Sequence, residues 1–206
     1  MHHLAEMYQQ SGSTGTYLRG YADRLSELLR GLDYSVVERI MGVIERACNE
    51  RKAIYFIANG GSAATASHWV NDLVAGGYVE GQPSFKAFCL ADNVESVTAL
   101  GNDVGFDNIF ASQLNARVEP GDVVYAMSVS GNSENIIRAM DTAKRHGATT
   151  IGICGFDGGR LKNACDIALH IPTTKDEYGP VEDIFNILDH LVTGYLTMKR
   201  GKWLHH

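Results

Sequence analysis

Tyr125–Ile137, YAMSVSGNSENII, is the stretch whose reading decides the fold. The apolar run Val123 to Ser128 has the composition of a buried strand, and it passes through a loop of small hydroxyl residues into a helix start. A helix start carries unpaired backbone N–H groups and the positive end of the macrodipole, both suited to an anion. Ser128, Ser130 and Ser133 add hydroxyl donors, and Gly131 lets the backbone come close. This predicts a phosphate cradle that works without lysine. The competing reading is a plain helix cap, which any open α/β sheet needs at such a turn.

Working outward, a second stretch has the same chemistry. Ala53 to Ala58, AIYFIA, reads as a buried strand that ends in Asn59-Gly60-Gly61-Ser62, with a helix expected over Ala63 to Val74. Further strands are expected at Phe85 to Leu90, Thr149 to Cys154 and Ile167 to Ile171. Helices are expected at Val94 to Leu100, from about Asp107 to Arg117, from Ser133 to His146, and from Pro180 to Met198. Strands alternating with helices at this spacing give a doubly wound, five-stranded parallel sheet, with ligands beyond the carboxyl ends of the strands. Both Gly/Ser loops fall there. Upstream, Tyr17 to Glu50 carries apolar residues at helical spacing and reads as a helical pair broken near Gly31 to Ser35. The polar segment 1–16 is expected to fray, residues 17–198 to form one domain, and 199–206 to be a tail.

Composition bounds the function. At 206 residues and 45% hydrophobic, the chain can bury a core without staples, and its four cysteines lack C-x-x-C spacing, so reduced core thiols are expected. A formal charge of −6 disfavours an intrinsic nucleic-acid surface, which needs clustered lysine and arginine. The chain has neither an apolar run of membrane-spanning length nor a signal-peptide core, so the expected compartment is the cytoplasm. The histidine pairs His2, His3 and His205, His206 are given no metal role.

Nucleotide-binding readings fail, because ANGGSAAT and SVSGNSEN contain neither G-x-G-x-x-G nor G-x-x-x-x-G-K-[ST]. By contrast ANGGSAATASHW, ALGNDVGF, SVSGNSENI and GICGFDGG, in this order and spacing, resemble the sugar isomerase (SIS) domain family with its flavodoxin-like fold. Within it they are most similar to phosphoheptose isomerases, which interconvert sedoheptulose 7-phosphate and D-glycero-D-manno-heptose 7-phosphate. The resemblance implies that Asn59, Gly60, Gly61 and Ser62 line the sugar-phosphate site, that Asn102 and Asp103 contact sugar hydroxyls, and that Ser128, Ser130 and Ser133 hold the phosphate. It also implies homotetramers with sites built between subunits around a bundle of terminal helices.

The chemistry must come from other residues. His68 and Asp72 are four apart on one helix and face the same way, as a metal clip requires, although such a pair is also common on solvated faces. The resemblance adds Glu182 and His190 from the last helix, where the family has Gln and His, giving His68, Asp72, Glu182 and His190 as ligands for a divalent metal, zinc being the expected one. Eight helical residues span about 12 Å, which strains that set. Asp72 and His190 are the expected acid/base pair, with Glu182 also facing the substrate. Asp72 replaces the usual family Glu, Gly76 an Arg, and Phe185 a common His. The alternative from another class is a non-catalytic SIS module that binds a phosphosugar or a protein partner, of the type that associates with the bacterial replication initiator, whose first loop SAATASHW resembles.

Overall fold

The computed structural model describes residues 2–203, and His205 and His206 lie outside them. Three helices come first: α1 (His3–Gln10), α2 (Thr14–Arg30) and α3 (Tyr34–Asn49). The break between α2 and α3 is set by Asp33, whose side chain accepts from the backbone N–H groups of Ser35 and Val36 and so starts α3. The α/β unit follows as β1 (Ala53–Ala58), α4 (Gly60–Asn71), β2 (Lys86–Cys89), α5 (Val94–Asp103), α6 (Ile109–Asn115), β3 (Val123–Ser128), α7 (Glu134–Arg145), β4 (Thr149–Cys154), α8 (Leu161–Ala164), β5 (Ile167–His170) and α9 (Tyr178–Lys199). All strand pairs are parallel, in the order β2-β1-β3-β4-β5. That is the flavodoxin-like winding expected from the sequence. Its direction reverses between β1 and β3, where such sheets place ligands.

Period-2 alternation sends neighbouring strand residues to opposite faces and makes two cores. On one face Phe56, Tyr125 and Ile153 pack with α3, α4 and α9, and the rings of Phe56, Trp69 and Tyr125 lie 4.8 to 5.7 Å apart. On the other, Ile57, Val124 and Ala126 pack with α6 and α7. The cysteines are free, and Cys48, Cys89 and Cys154 are buried. Burial pushes the Cys89 thiol up to about 12 and the Cys154 thiol up to about 11, as core thiols require.

Two terminal segments differ from expectation. The segment read as fraying contains α1, and it is tied down by a buried carboxylate 174 residues away in sequence. Leu4 N–H donates to Asp176, His3 Nδ1 lies 3.1 Å from Glu177, and Arg24 on α2 grips Glu177 through Nε at 2.7 Å and Nη2 at 3.2 Å. At the other end, Arg200 stacks over Phe85 and donates to the Pro83 carbonyl, so the tail begins anchored.

Glu177 gives this docking a pH dependence. Burial pushes its carboxyl up, but the hydrogen bonds from Arg24, the Thr174 backbone and His3 outweigh it and hold the group at about 2, below its ordinary 4.5. The folded value is the lower one, so the stabilisation is complete above about 4.5 and is lost as pH falls toward 2. The difference corresponds to about 3 kcal/mol. Thermal unfolding of wild type should therefore lose stability between pH 4.5 and 2 more steeply than that of Glu177→Gln, and parallel profiles would refute the assignment.

Candidate functional site

The loops after β1 and β3 meet at the point where the sheet reverses and enclose a cavity of about 280 Å³. Asn59, Gly60, Gly61 and Ser62 line it from the first loop, Ser128, Ser130 and Ser133 from the second, and Tyr178 and Glu182 from α9. The N-termini of α4 and α7 both point here, so two helix dipoles add their positive ends to the hydroxyls. The phosphate reading thus rests on converging donors rather than on one cap.

The cradle keeps its shape through contacts that the local sequence does not announce. Asn59 and Asn135 exchange side-chain hydrogen bonds at 3.0 and 2.8 Å, fastening the first loop to α7, and Asn135 is buried. Gly131 has φ of +62° and lies directly against the Gly158 carbonyl. Leu161 N–H donates to the Gly131 carbonyl, and Arg160 holds Asn132 through its own N–H and its guanidinium. The GICGFDGG motif is therefore a buttress behind the serine loop.

Asn102 and Asp103 fall differently. They lie in the last turn of α5, exposed and hydrogen-bonded to each other, outside the cavity. α5 runs on through Asp103, past the Leu100 end expected from the sequence.

From the cavity, α4 and α9 run side by side with matched rungs. Ser62 Oγ donates to Glu182 at 3.0 Å, Thr65 Oγ1 to Asn186 at 3.1 Å, and Trp69 Nε1 to the Phe185 carbonyl at 3.3 Å. Beyond them comes a cluster of His68, Asp72, Asp189 and His190, whose ligand-type atoms all lie within 4.8 Å of one another. His68 Nε2 is 3.6 Å from Asp72, His190 Nε2 is 3.9 Å from Asp72, and the two imidazoles meet edge to face with centroids 5.1 Å apart. Asp72 opens a single π-helical turn, Asp72–Gly76, that continues α4.

Of the expected ligands, Glu182 lies outside this cluster. Glu182 sits two turns before His190, at the Ser62 rung, and its carboxylate lies on Gly61, where a Cβ would meet Oε2 at 2.8 Å. Asp189 is the second carboxylate of the cluster. It is fully buried, and neither carboxylate oxygen has a hydrogen-bond partner. Burial, and secondly the Asp72 carboxylate, push Asp189 up to about 8, the mark of a site short of positive charge. Two carboxylates and two imidazoles, one carboxylate orphaned, fit a divalent cation. The sequence signal was an aspartate on the buried stripe of α9, four residues after Phe185.

A family model described as "SIS domain" matches residues 16–155. The chain belongs to the SIS domain family. Its curated relatives include the phosphoheptose isomerase of Rhodospirillum rubrum, 35% identical over 153 residues, which are 74% of this chain and 80% of that protein. That of Nitratiruptor sp. is 43% identical over 129 residues, 63% of this chain and 68% of that protein. These identities place the chain with the phosphoheptose isomerases of the SIS family and make it an isomerase. In three dimensions a phosphoheptose isomerase from Francisella tularensis superposes with a TM-score of 0.81 over 89% of this chain and 96% of its own, at 24% identity, and so shares the SIS fold.

Proposed function

We propose that the protein interconverts sedoheptulose 7-phosphate and D-glycero-D-manno-heptose 7-phosphate through an enediol. The observation that carries this is the spacing of two sites on one helix pair. The phosphate cavity lies at the Ser62 rung and the titratable cluster begins six residues along α4, about 9 Å away. A sugar phosphorylated on its last carbon and reacting at its first two needs such a separation. The two-helix ladder supplies it.

The serine loop and the two helix N-termini hold the phosphate, while Glu182, a carboxylate that would repel a phosphate, accepts sugar hydroxyls from the α9 side. The reaction moves one proton between the carbonyl carbon and its neighbour and a second between their oxygens. Asp72 and His190, with Oδ2 and Nε2 3.9 Å apart, suit that exchange, with one accepting the carbon-bound proton while the other donates to the carbonyl oxygen. His68, Asp72 and His190 would hold a divalent ion, zinc by resemblance. When bound it supplies Lewis-acid polarisation of the carbonyl.

An oligomer is supported by the exposed apolar groove between α3 and α9, lined by Tyr34, Met41, Leu191 and Tyr195, and the tetramer implied by the family resemblance would cover it. No helix among the described residues is long and apolar enough to cross a membrane, and a cytoplasmic location is proposed. Incubating the purified protein with sedoheptulose 7-phosphate should yield an aldoheptose phosphate, detected by NMR. Binding of the ketose phosphate without any turnover would leave a regulatory phosphosugar module as the remaining reading.

A further inference from the structure

Asp189 is the buried group that the acid/base chemistry does not use. It is fully enclosed, both of its carboxylate oxygens lack hydrogen-bond partners, and the imidazole beside it is that of His68, with Nδ1 3.8 Å from Oδ2. A buried carboxylate left this way is costly, and α9 could carry an apolar residue there as it does at Phe185 and Leu188. Its position is informative because an imidazole has two distinct faces. His68 turns Nε2 toward Asp72, which His190 also approaches, and Nδ1 toward Asp189. An ion held by Asp72 and His190 can therefore meet only Nε2 of His68, while Nδ1 carries the proton.

We propose that Asp189 is a positioning residue that accepts the Nδ1–H of His68, fixing its tautomer and orientation so that Nε2 is presented to a divalent cation at Asp72 and His190. This rests on the metal reading above. It assigns the second carboxylate of the cluster to a place behind the ligands, in the arrangement by which a carboxylate raises the basicity of a metal-bound imidazole. The 3.8 Å separation needs only a small turn of the ring to close. The backbone of α9 sets the device up, since Asp189 and His190 are successive residues, one facing inward and one outward.

The test is zinc affinity, by competition with a chromogenic chelator, together with nitrogen-15 NMR of the zinc-loaded protein. Asp189→Leu should bind zinc 10- to 100-fold more weakly than wild type, in line with the loss of an outer carboxylate. Asp189→Asn, whose amide oxygen accepts the same proton, should stay within about tenfold of wild type. Wild type should also show a slowly exchanging, downfield His68 Nδ1–H that disappears in Asp189→Leu. That readout stands on the native protein even if a variant folds poorly. Zinc bound through Nδ1 of His68, or unchanged affinity in Asp189→Leu, overturns the proposal. So does an Asn variant as weak as the Leu variant, which would make Asp189 a direct ligand. A wild-type protein that takes up no zinc overturns the metal reading and this proposal together, whereas the variant comparison tests this proposal alone.

Discussion

Alanine in place of His190 should abolish conversion of sedoheptulose 7-phosphate while leaving its binding within a few-fold of wild type. The side chain is 62% exposed and stands at the cluster, two turns of α9 beyond the Glu182 rung of the cavity. Its loss therefore removes a proton-transfer group without touching the cradle, and positioned acid/base groups contribute roughly 10²- to 10⁴-fold. Steady-state turnover with binding measured by calorimetry separates the two effects. The exposed position also predicts an unchanged thermal midpoint. Turnover within threefold of wild type would remove His190 from the mechanism and leave Asp72 as the acid/base residue.

Gly131→Ala should act on the opposite half of the site. Gly131 adopts φ of +62°, a conformation costing a residue with a Cβ about 1 to 2 kcal/mol, and its new methyl group would run into the Gly158 carbonyl. The serine loop must then separate from the loop after β4 that buttresses it. Displacing donors aimed at a phosphate should raise KM at least tenfold, and the clash should lower stability by about 2 to 4 kcal/mol. Both are measurable, by substrate titration and by denaturant unfolding. A control at Gly60, which also has positive φ but open space around it, should cost less. Equal effects at the two positions would mean that backbone conformation, and not the contact with Gly158, decides the loop.

Much of this molecule is legible in its sequence, and the legible parts share a property. The strand Val123–Ser128, the loop through Ser133 and the helix beyond it occupy adjacent residues, so period, composition and turn chemistry meet in one window. The same holds for Ala53 to Ser62. The expected phosphate-site residues from those loops do line one cavity, together with Glu182. What failed depended on distance along the chain. The helix expected over Val94 to Leu100 runs on through Asn102 and Asp103. The segment 1–16 lacks a strong apolar stripe, and its helix docks through His3 and Leu4 onto Glu177 and Asp176, partners that no local window contains.

The ligand set illustrates this limit. Glu182 and His190 both lie on α9, and the sequence alone cannot say which residue of α4 faces each. The register of the two helices decides it, through Ser62 with Glu182, Thr65 with Asn186, and Trp69 with the Phe185 carbonyl. That register sets Glu182 at the cavity and brings Asp189, unremarkable in sequence, beside His68. The sequence by itself therefore determined the winding of the sheet and the two loops that line the cavity, because hydrophobic period and loop chemistry act between neighbours in the chain. Tertiary structure alone decided the composition of the cluster, because packing sets the alignment of two helices more than 100 residues apart, and a shift of one turn would exchange every partner along it.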